Sequence, residues 1–321
     1  MPRAIHRRAF LQSAAAAAGL GVTSPLWTQD SATVASTFPI IDSHQHLWDL
    51  KQFNLPWLAG APDTINRSFL VDDFRAAAEG LNVVKTVYME VDVHPAQQVQ
   101  EAEFAVELCD DPANIVAGAV IGGYPHEKSF ADYIKRFSGV KCVKGVRTVL
   151  HGNRPRGLCL QPEFVDSMKR LGDAGLSFDL CMRPGELLDG AQLASQSPKT
   201  TFVLDHCGNI GAQSDATLRA VWCEGIKAAA AQRNVVCKIS GLVDKSAAPE
   251  WTVDSFAANV DFCLDTFGED RVLFGGDWPV CLIRGSYRRW VDALAAIVDN
   301  RPETFRKKLF HENAVRIYRL A

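Results

Sequence analysis

The segment Ile41-Asp42-Ser43-His44-Gln45-His46 puts two imidazoles two residues apart at the end of an apolar run. In an extended strand alternate side chains share a face, so His44 and His46 would stand side by side and offer nitrogens to one divalent ion. A third imidazole, His206, closes the run Val203-Leu204-Asp205, and a carboxylate, Asp277, follows Phe274-Gly275-Gly276. Two glycines allow a tight turn before Asp277, which can ligate a metal or accept the proton of an attacking water. Arg147 and Arg183 also end apolar runs, where a guanidinium fork would orient a carboxylate- or hydroxyl-bearing substrate. His151, just beyond Arg147, is a candidate second acid. Trp48, Trp278 and Tyr287 are candidate flat walls for a ring-shaped substrate. Each group has a plainer reading: histidines bonded to carbonyls, an aspartate capping a helix, arginines paired with structural carboxylates, aromatics as packing. His94, His126 and His311 read as structural.

These residues are useful only if one scaffold brings them together. Short β-branched runs recur at 39–43, 83–91, 115–121, 142–150, 176–182, 201–205, 235–240 and 271–274. Helical patterns separate or follow them at 69–81, 96–109, 128–137, 161–174, 186–195, 214–232, 251–267 and 287–298. Pro162 near the start of the fourth helix and Gly175 just past its end are the expected punctuation. Near-continuous apolar strands between helices mean a parallel sheet covered by helices. Eight such units predict an α/β fold, a single (β/α)₈ TIM barrel, which typically needs ~250 residues. The doubly wound alternative lacks its Gly-rich phosphate turn after the first strand. In a barrel the site lies where strands end and βα loops begin, and His44, His46, Arg147, Arg183, His206 and Asp277 fall there.

Composition limits the partners. The 321 residues are 47% hydrophobic and 22% charged, with a net charge of 34 − 37 = −3. No basic surplus is present to neutralise phosphates, which argues against nucleic acid, and no apolar run reaches the ~18 residues of a membrane span. A small-molecule substrate is the expected partner; nothing in the sequence fixes an oligomeric state. Residues 1–36 read as an export signal and short linker: His6-Arg7-Arg8-Ala9-Phe10-Leu11, five alanines from Ala14 to Ala18, and a small-residue exit at Thr33-Val34-Ala35. The paired arginines resemble the twin-arginine type, predicting periplasmic delivery of an already folded protein, with 37–321 as the barrel. A plain amphipathic helix is the alternative for this segment. Cleavage after Ala35 would remove three arginines and one aspartate, leaving 31 − 36 = −5. The nine cysteines are odd in number and form no C-x-x-C, so Cys142, Cys181, Cys207, Cys237 and Cys281 read as small buried hydrophobes.

The His-x-His ending strand one, the His ending strand six and the Asp ending strand eight resemble the amidohydrolase superfamily. The segments Asp42-Ser43-His44-Gln45-His46-Leu47-Trp48-Asp49, Val203-Leu204-Asp205-His206-Cys207-Gly208 and Leu273-Phe274-Gly275-Gly276-Asp277-Trp278-Pro279-Val280 are similar to its lactonase-rich branch, which includes sugar-acid lactonases and pyrone-dicarboxylate hydrolase. The resemblance spans 38–321 and includes Phe310-His311-Glu312-Asn313-Ala314. It implies metal-assisted hydrolysis of a carboxylic ester, expected to be a sugar-acid or related lactone. His44, His46 and Glu90 would hold one divalent ion, expected to be Zn²⁺, with Glu90 alternatively bonding the nucleophilic water. Asp277 would be the general base, and His206 a ligand or proton-transfer group. Arg147, Arg183, His151 and Trp48 would bind substrate. One departure matters. Many members bind two metals through a carboxylated Lys on strand four and a His on strand five. Here strand four carries Lys144 and Arg147, and Phe178-Asp179-Leu180-Cys181-Met182-Arg183 has no histidine, so a binuclear site is not expected. Two alternatives stand beside this reading. One is a non-oxidative decarboxylase of an aromatic acid, whose branch better matches a Glu-containing motif in strand one and a His ending strand five. The other is a non-catalytic small-molecule binder on the same barrel.

Overall fold

The apolar runs become parallel strands in chain order: β1 (Ile40–Gln45), β2 (Val83–Met89), β3 (Val116–Gly122), β4 (Val143–Val149), β5 (Ser177–Cys181), β6 (Phe202–Leu204), β7 (Val235–Ile239) and β8 (Val272–Phe274). The computed structural model describes residues 38–244 and 250–320, so the export segment expected over 1–36 lies outside the described residues. Each strand pairs with the next. The ring is completed between β8 and β1 by a bridge from Gln45 to Trp278 and by two backbone bonds, Asp277 N–H to the His44 carbonyl (2.9 Å) and His46 N–H to the Trp278 carbonyl (2.8 Å). The helices α1 (Val71–Ala77), α2 (Gln98–Asp110), α3 (Phe130–Phe137), α4 (Pro162–Asp173), α5 (Leu187–Gln196), α6 (Ala216–Ala231), α7 (Asp254–Phe267) and α8 (Tyr287–Ile297) alternate with the strands. This is one (β/α)₈ barrel. No helix among the described residues is long and apolar enough to cross a membrane.

Helix ends follow local chemistry. The first helix starts at Val71 rather than 69 because Phe69 exchanges both backbone bonds with Trp48 (3.0 and 2.8 Å), while the Asp73 carboxylate accepts from the Leu70 N–H (2.9 Å). Pro162 opens α4, and Gly175 lies beyond its end at φ +69°, as the sequence predicts.

Apolar side chains fill both sides of the sheet. Inside the barrel, Ile41, Val87, Met89, Val120, Val203, Val236 and Leu273 pack with Ala314 and Tyr318 of the last described helix and with Leu320 just beyond it. That helix (Asn313–Tyr318) follows a π turn over Lys308–Glu312 and closes the N-terminal end of the strands. Two contacts place it there: the Lys144 ammonium donates to the Arg319 carbonyl (3.3 Å), and Gly118 leaves room for Leu320. Cys181, Cys207, Cys237 and Cys281 are buried free thiols as expected, and Cys142 is half-buried.

The glycines before Asp277 do a different job from the one expected. Neither takes a positive φ; Asp277 itself does, at +54°. They are needed for close approach instead. A Cβ at Gly275 would lie 2.7 Å from the His44 Cβ, and one at Gly276 would lie 2.5 Å from the Asp42 carboxylate.

Candidate active site

At the C-terminal end of the barrel, three imidazoles surround one carboxylate oxygen. Asp277 Oδ1 lies 3.4 Å from His46 Nε2, 3.6 Å from His44 Nε2 and 4.0 Å from His206 Nε2. His44 and His46 lie on one side of β1, with ring centroids 4.9 Å apart; the His206 ring is 4.4 Å from that of His44. Backbone geometry presents these groups. His206 and Asp277 both adopt left-handed φ (+56° and +54°), which costs on the order of 1–2 kcal/mol at a non-glycine residue and turns each side chain back over the barrel mouth.

Each imidazole is held from behind. His46 Nδ1 donates to the Met89 carbonyl (3.0 Å), which leaves the Nε2 lone pair facing Asp277. His206 Nδ1 lies 2.8 Å from the Ser240 hydroxyl. His44 Nδ1 lies 3.4 Å from Asp205 and 3.2 Å from the Lys238 ammonium.

A charged layer lies beneath. Lys238 Nζ is 2.7 Å from Asp179 and 3.2 Å from Asp205, all three fully buried, and the Tyr318 hydroxyl donates to Asp179 (3.1 Å). Burial works against the Asp205 carboxylate, but Lys238, His206 and Arg147 overcome it and hold its pKa below the ordinary range. Burial also opposes the Lys238 charge, yet Asp179 and Asp205 keep it protonated well above the ordinary lysine range. Asp42 differs: burial pushes it up to about 6, although the N–H groups of Gly276 (2.8 Å) and His44 (2.9 Å) donate to it.

The donor set fits a metal ion. The donor atoms of His44, His46 and Asp277 all lie within 4.8 Å of one another. Imidazole nitrogen and carboxylate oxygen are ordinary zinc ligands, and in a tetrahedral shell with ~2.0–2.2 Å bonds the donors are themselves ~3.3–3.6 Å apart. The 3.4 and 3.6 Å separations match that spacing, and the 4.0 Å separation to His206 is slightly longer.

Glu90 does not join this set. Its carboxylate accepts from Arg147 Nε (2.5 Å) and from the Asp92 N–H (2.6 Å), and it is not among the residues whose donors converge. The expectation that it ligates metal is therefore corrected: a buried guanidinium beside it takes its charge. Arg147 also donates to the Glu90 carbonyl (2.7 Å) and brings Nη1 to 3.4 Å from His44 Nε2, a fixed positive charge at the edge of the site.

A cavity of about 510 Å³ opens above this floor of His46, His206, Asp277 and Arg147, with His151 and Arg183 on its wall. Arg183 is committed elsewhere. It donates to Glu186 (2.7 Å) and to the carbonyls of Leu150, Gly152 and Arg154 (3.0, 2.8 and 2.7 Å), so it fixes the loop after β4. Trp48 is corrected too: it is fully buried, donates its indole N–H to the Arg67 carbonyl (2.6 Å) and does not line the cavity. Trp57, stacked edge-on against it at 5.6 Å, lines the cavity in its place. Trp278 and Tyr287 are likewise core residues. A hollow of about 600 Å³ along residues 50–66 and Gln97 has Lys51 as its one ionisable lining residue, so size alone does not mark the site.

Sequence reasoning missed Asp179, Asp205, Lys238, Ser240 and Trp57. A signal existed for two of them. Asp179 in Ser-Phe-Asp-Leu-Cys and Lys238 in Val-Val-Cys-Lys-Ile are single charges inside apolar strands, where an ionised side chain is almost never buried unpaired.

Comparison with known proteins agrees with this geometry. The profile of the family described as Amidohydrolase matches residues 41–320. An uncharacterized protein, y4mH, of Sinorhizobium fredii is 30% identical over 314 residues, covering 89% of this chain and all of its own. An L-fucono-1,5-lactonase of Burkholderia multivorans is 28% identical over 297 residues, covering 87% of this chain and 96% of its own. A crystal structure of an amidohydrolase from the same organism with zinc bound superposes at a TM-score of 0.78, with 25% identity over 88% of this chain and all of the other.

Proposed function

The chain belongs to the amidohydrolase family and is an enzyme of that superfamily, and from this premise we propose that it hydrolyses a lactone, most readily that of a neutral sugar acid. The observation that carries the reading is the convergence of three imidazole nitrogens on Asp277 at the floor of one cavity. The family is metal-dependent, and His44, His46, His206 and Asp277 are the residues that would hold one divalent ion, with zinc the expected metal. Bound there, it would supply Lewis-acid polarisation of the ester carbonyl and acidify a water.

The chain's own groups account for the remaining steps. Asp277 takes the proton as the water oxygen bonds to the carbonyl carbon, then returns it to the ring oxygen as the ester C–O bond breaks, yielding the open hydroxy acid. Arg147, fixed by Glu90, presents positive charge beside the carbonyl and limits how the ring can lie. His151 contacts the substrate from the loop after β4, and Trp57 covers its apolar face. The export segment 1–36 would place this activity in the periplasm.

The test is a pH-indicator assay of purified protein across 1,4- and 1,5-lactones of sugar acids and simple esters, with elemental analysis of the same sample. Acid release from at least one sugar-acid lactone is expected. A flat response on every ester, or carbon dioxide release from aromatic acids instead, overturns the proposal.

A further inference from the structure

A second grouping of metal-type donors overlaps the outer one. Atoms of His44, Asp205 and His206 lie within 4.8 Å of one another, so Asp205 adds a buried carboxylate to two histidines that already face the outer site. Asp179 from β5 adds another fully buried carboxylate. Two carboxylates so placed need compensating positive charge, because a buried ion without a partner costs several kcal/mol. That charge is already present. The Lys238 side chain leaves the middle of β7 and brings its ammonium to 2.7 Å from Asp179 Oδ2, 3.2 Å from Asp205 Oδ1 and 3.2 Å from His44 Nδ1, with the Tyr318 ring on a further side at 5.6 Å. An ion bound to Asp205 and His44 at ~2.0–2.2 Å would compete for the space that this nitrogen fills.

We propose that Lys238 is a tethered internal cation: its ammonium, held by Asp179, sits against Asp205 and His44, two of the three inner donors, where a second divalent ion would sit, so the chain binds one ion, at the outer site, and takes an inner one only when Lys238 is removed. The proposal rests on reading the outer donors as a metal centre. It makes Lys238 a positioning residue for His44, with no contact to substrate.

The experiment is refolding of full-length protein from urea in excess Zn²⁺ or Cd²⁺, dialysis, and counting of bound ions by elemental analysis. Thermal midpoints are measured with and without metal. The expected counts are one ion for the wild type, two for Lys238→Met and one for Lys238→Arg. The double variant Lys238→Met/Asp205→Asn, which removes an inner ligand, should fall back to one. Lys238→Met should melt below wild type without metal and regain stability with it, because the inner ion replaces the lost charge. Two ions in wild type overturn the proposal, as does a single ion in Lys238→Met or a variant that stays unfolded with metal present. No ion in wild type but one in Lys238→Met would sink the outer-site reading, and with it the count proposed here, while showing that Lys238 blocks an inner site. No ion in either protein sinks both.

Discussion

Replacing Asp277 by Asn separates the carboxylate's work at the site, proton transfer and metal ligation, from the fold. The choice of Asn follows from the backbone. Asp277 sits at φ +54°, a conformation that Asn tolerates, whereas Ala there would add on the order of 1–2 kcal/mol of strain. The backbone bond from residue 277 to the His44 carbonyl (2.9 Å) does not involve the side chain and survives. The substitution therefore removes one negative charge, and with it one metal donor, 3.4–4.0 Å from three imidazole nitrogens. Losing a positioned general base lowers rate by roughly 10²–10⁴. At about 1.4 kcal/mol per tenfold this is about 3–5.5 kcal/mol of barrier. We expect kcat/KM on the best lactone to fall by at least about a hundredfold by that arithmetic, while the melting temperature without metal stays within a few degrees of wild type. The thermal shift on adding zinc should shrink, because one donor has gone. Initial rates and melting curves on the same preparation decide the matter. Turnover within tenfold of wild type refutes the base assignment. A rate loss accompanied by a collapsed melting temperature shows that Asp277 is structural.

Two further outcomes follow from buried charges. Arg147→Met leaves the Glu90 carboxylate buried with its partner gone, since both residues are at most 5% exposed, and should cost roughly 3–5 kcal/mol in urea denaturation. Adding Glu90→Gln should recover much of that loss; no recovery would show that the pair is not the source. The second concerns Glu101, which accepts from the Val91 N–H (2.6 Å) and the Tyr88 hydroxyl (3.1 Å), and which burial, then Glu90, pushes up to about 8. Its folded pKa exceeds its unfolded value of about 4.5, so its stabilising contribution is complete below that value and is lost as pH climbs toward 8. Wild-type stability should therefore decline across that window by up to about 1.4 kcal/mol per pH unit, and Glu101→Gln, which keeps an acceptor, should flatten the decline in chemical denaturation curves. Equal slopes in the two proteins would refute it.

Much of the scaffold was legible because burial on both faces writes each strand as an unbroken apolar run, and the helices between them keep their own period. His44, His46, His206 and Asp277 were legible for the same reason: polar residues stand out where such runs stop. What lay hidden was decided between elements. Lys238 reaches Asp179 across β6, and the register that permits it, with Asp179 beside Val203 and Leu204 beside Cys237, is written in no single strand. Glu90 looked like a ligand because it also ends a strand; its direction depends on Arg147, 57 positions later. The exchange of Trp48 for Trp57 has a similar origin, since the pairing of Trp48 with Phe69 sends the first tryptophan inward and leaves the second at the cavity.

The helix that closes the far end of the barrel also reaches the site from below. Tyr318 bonds to Asp179, Asp179 to Lys238, and Lys238 faces His44, so a residue far along the chain helps brace a histidine of the first strand. The outer donors are divided in the same way, between β1 and the turn after β8. Ion uptake therefore reports closure of the whole ring rather than the folding of any one strand.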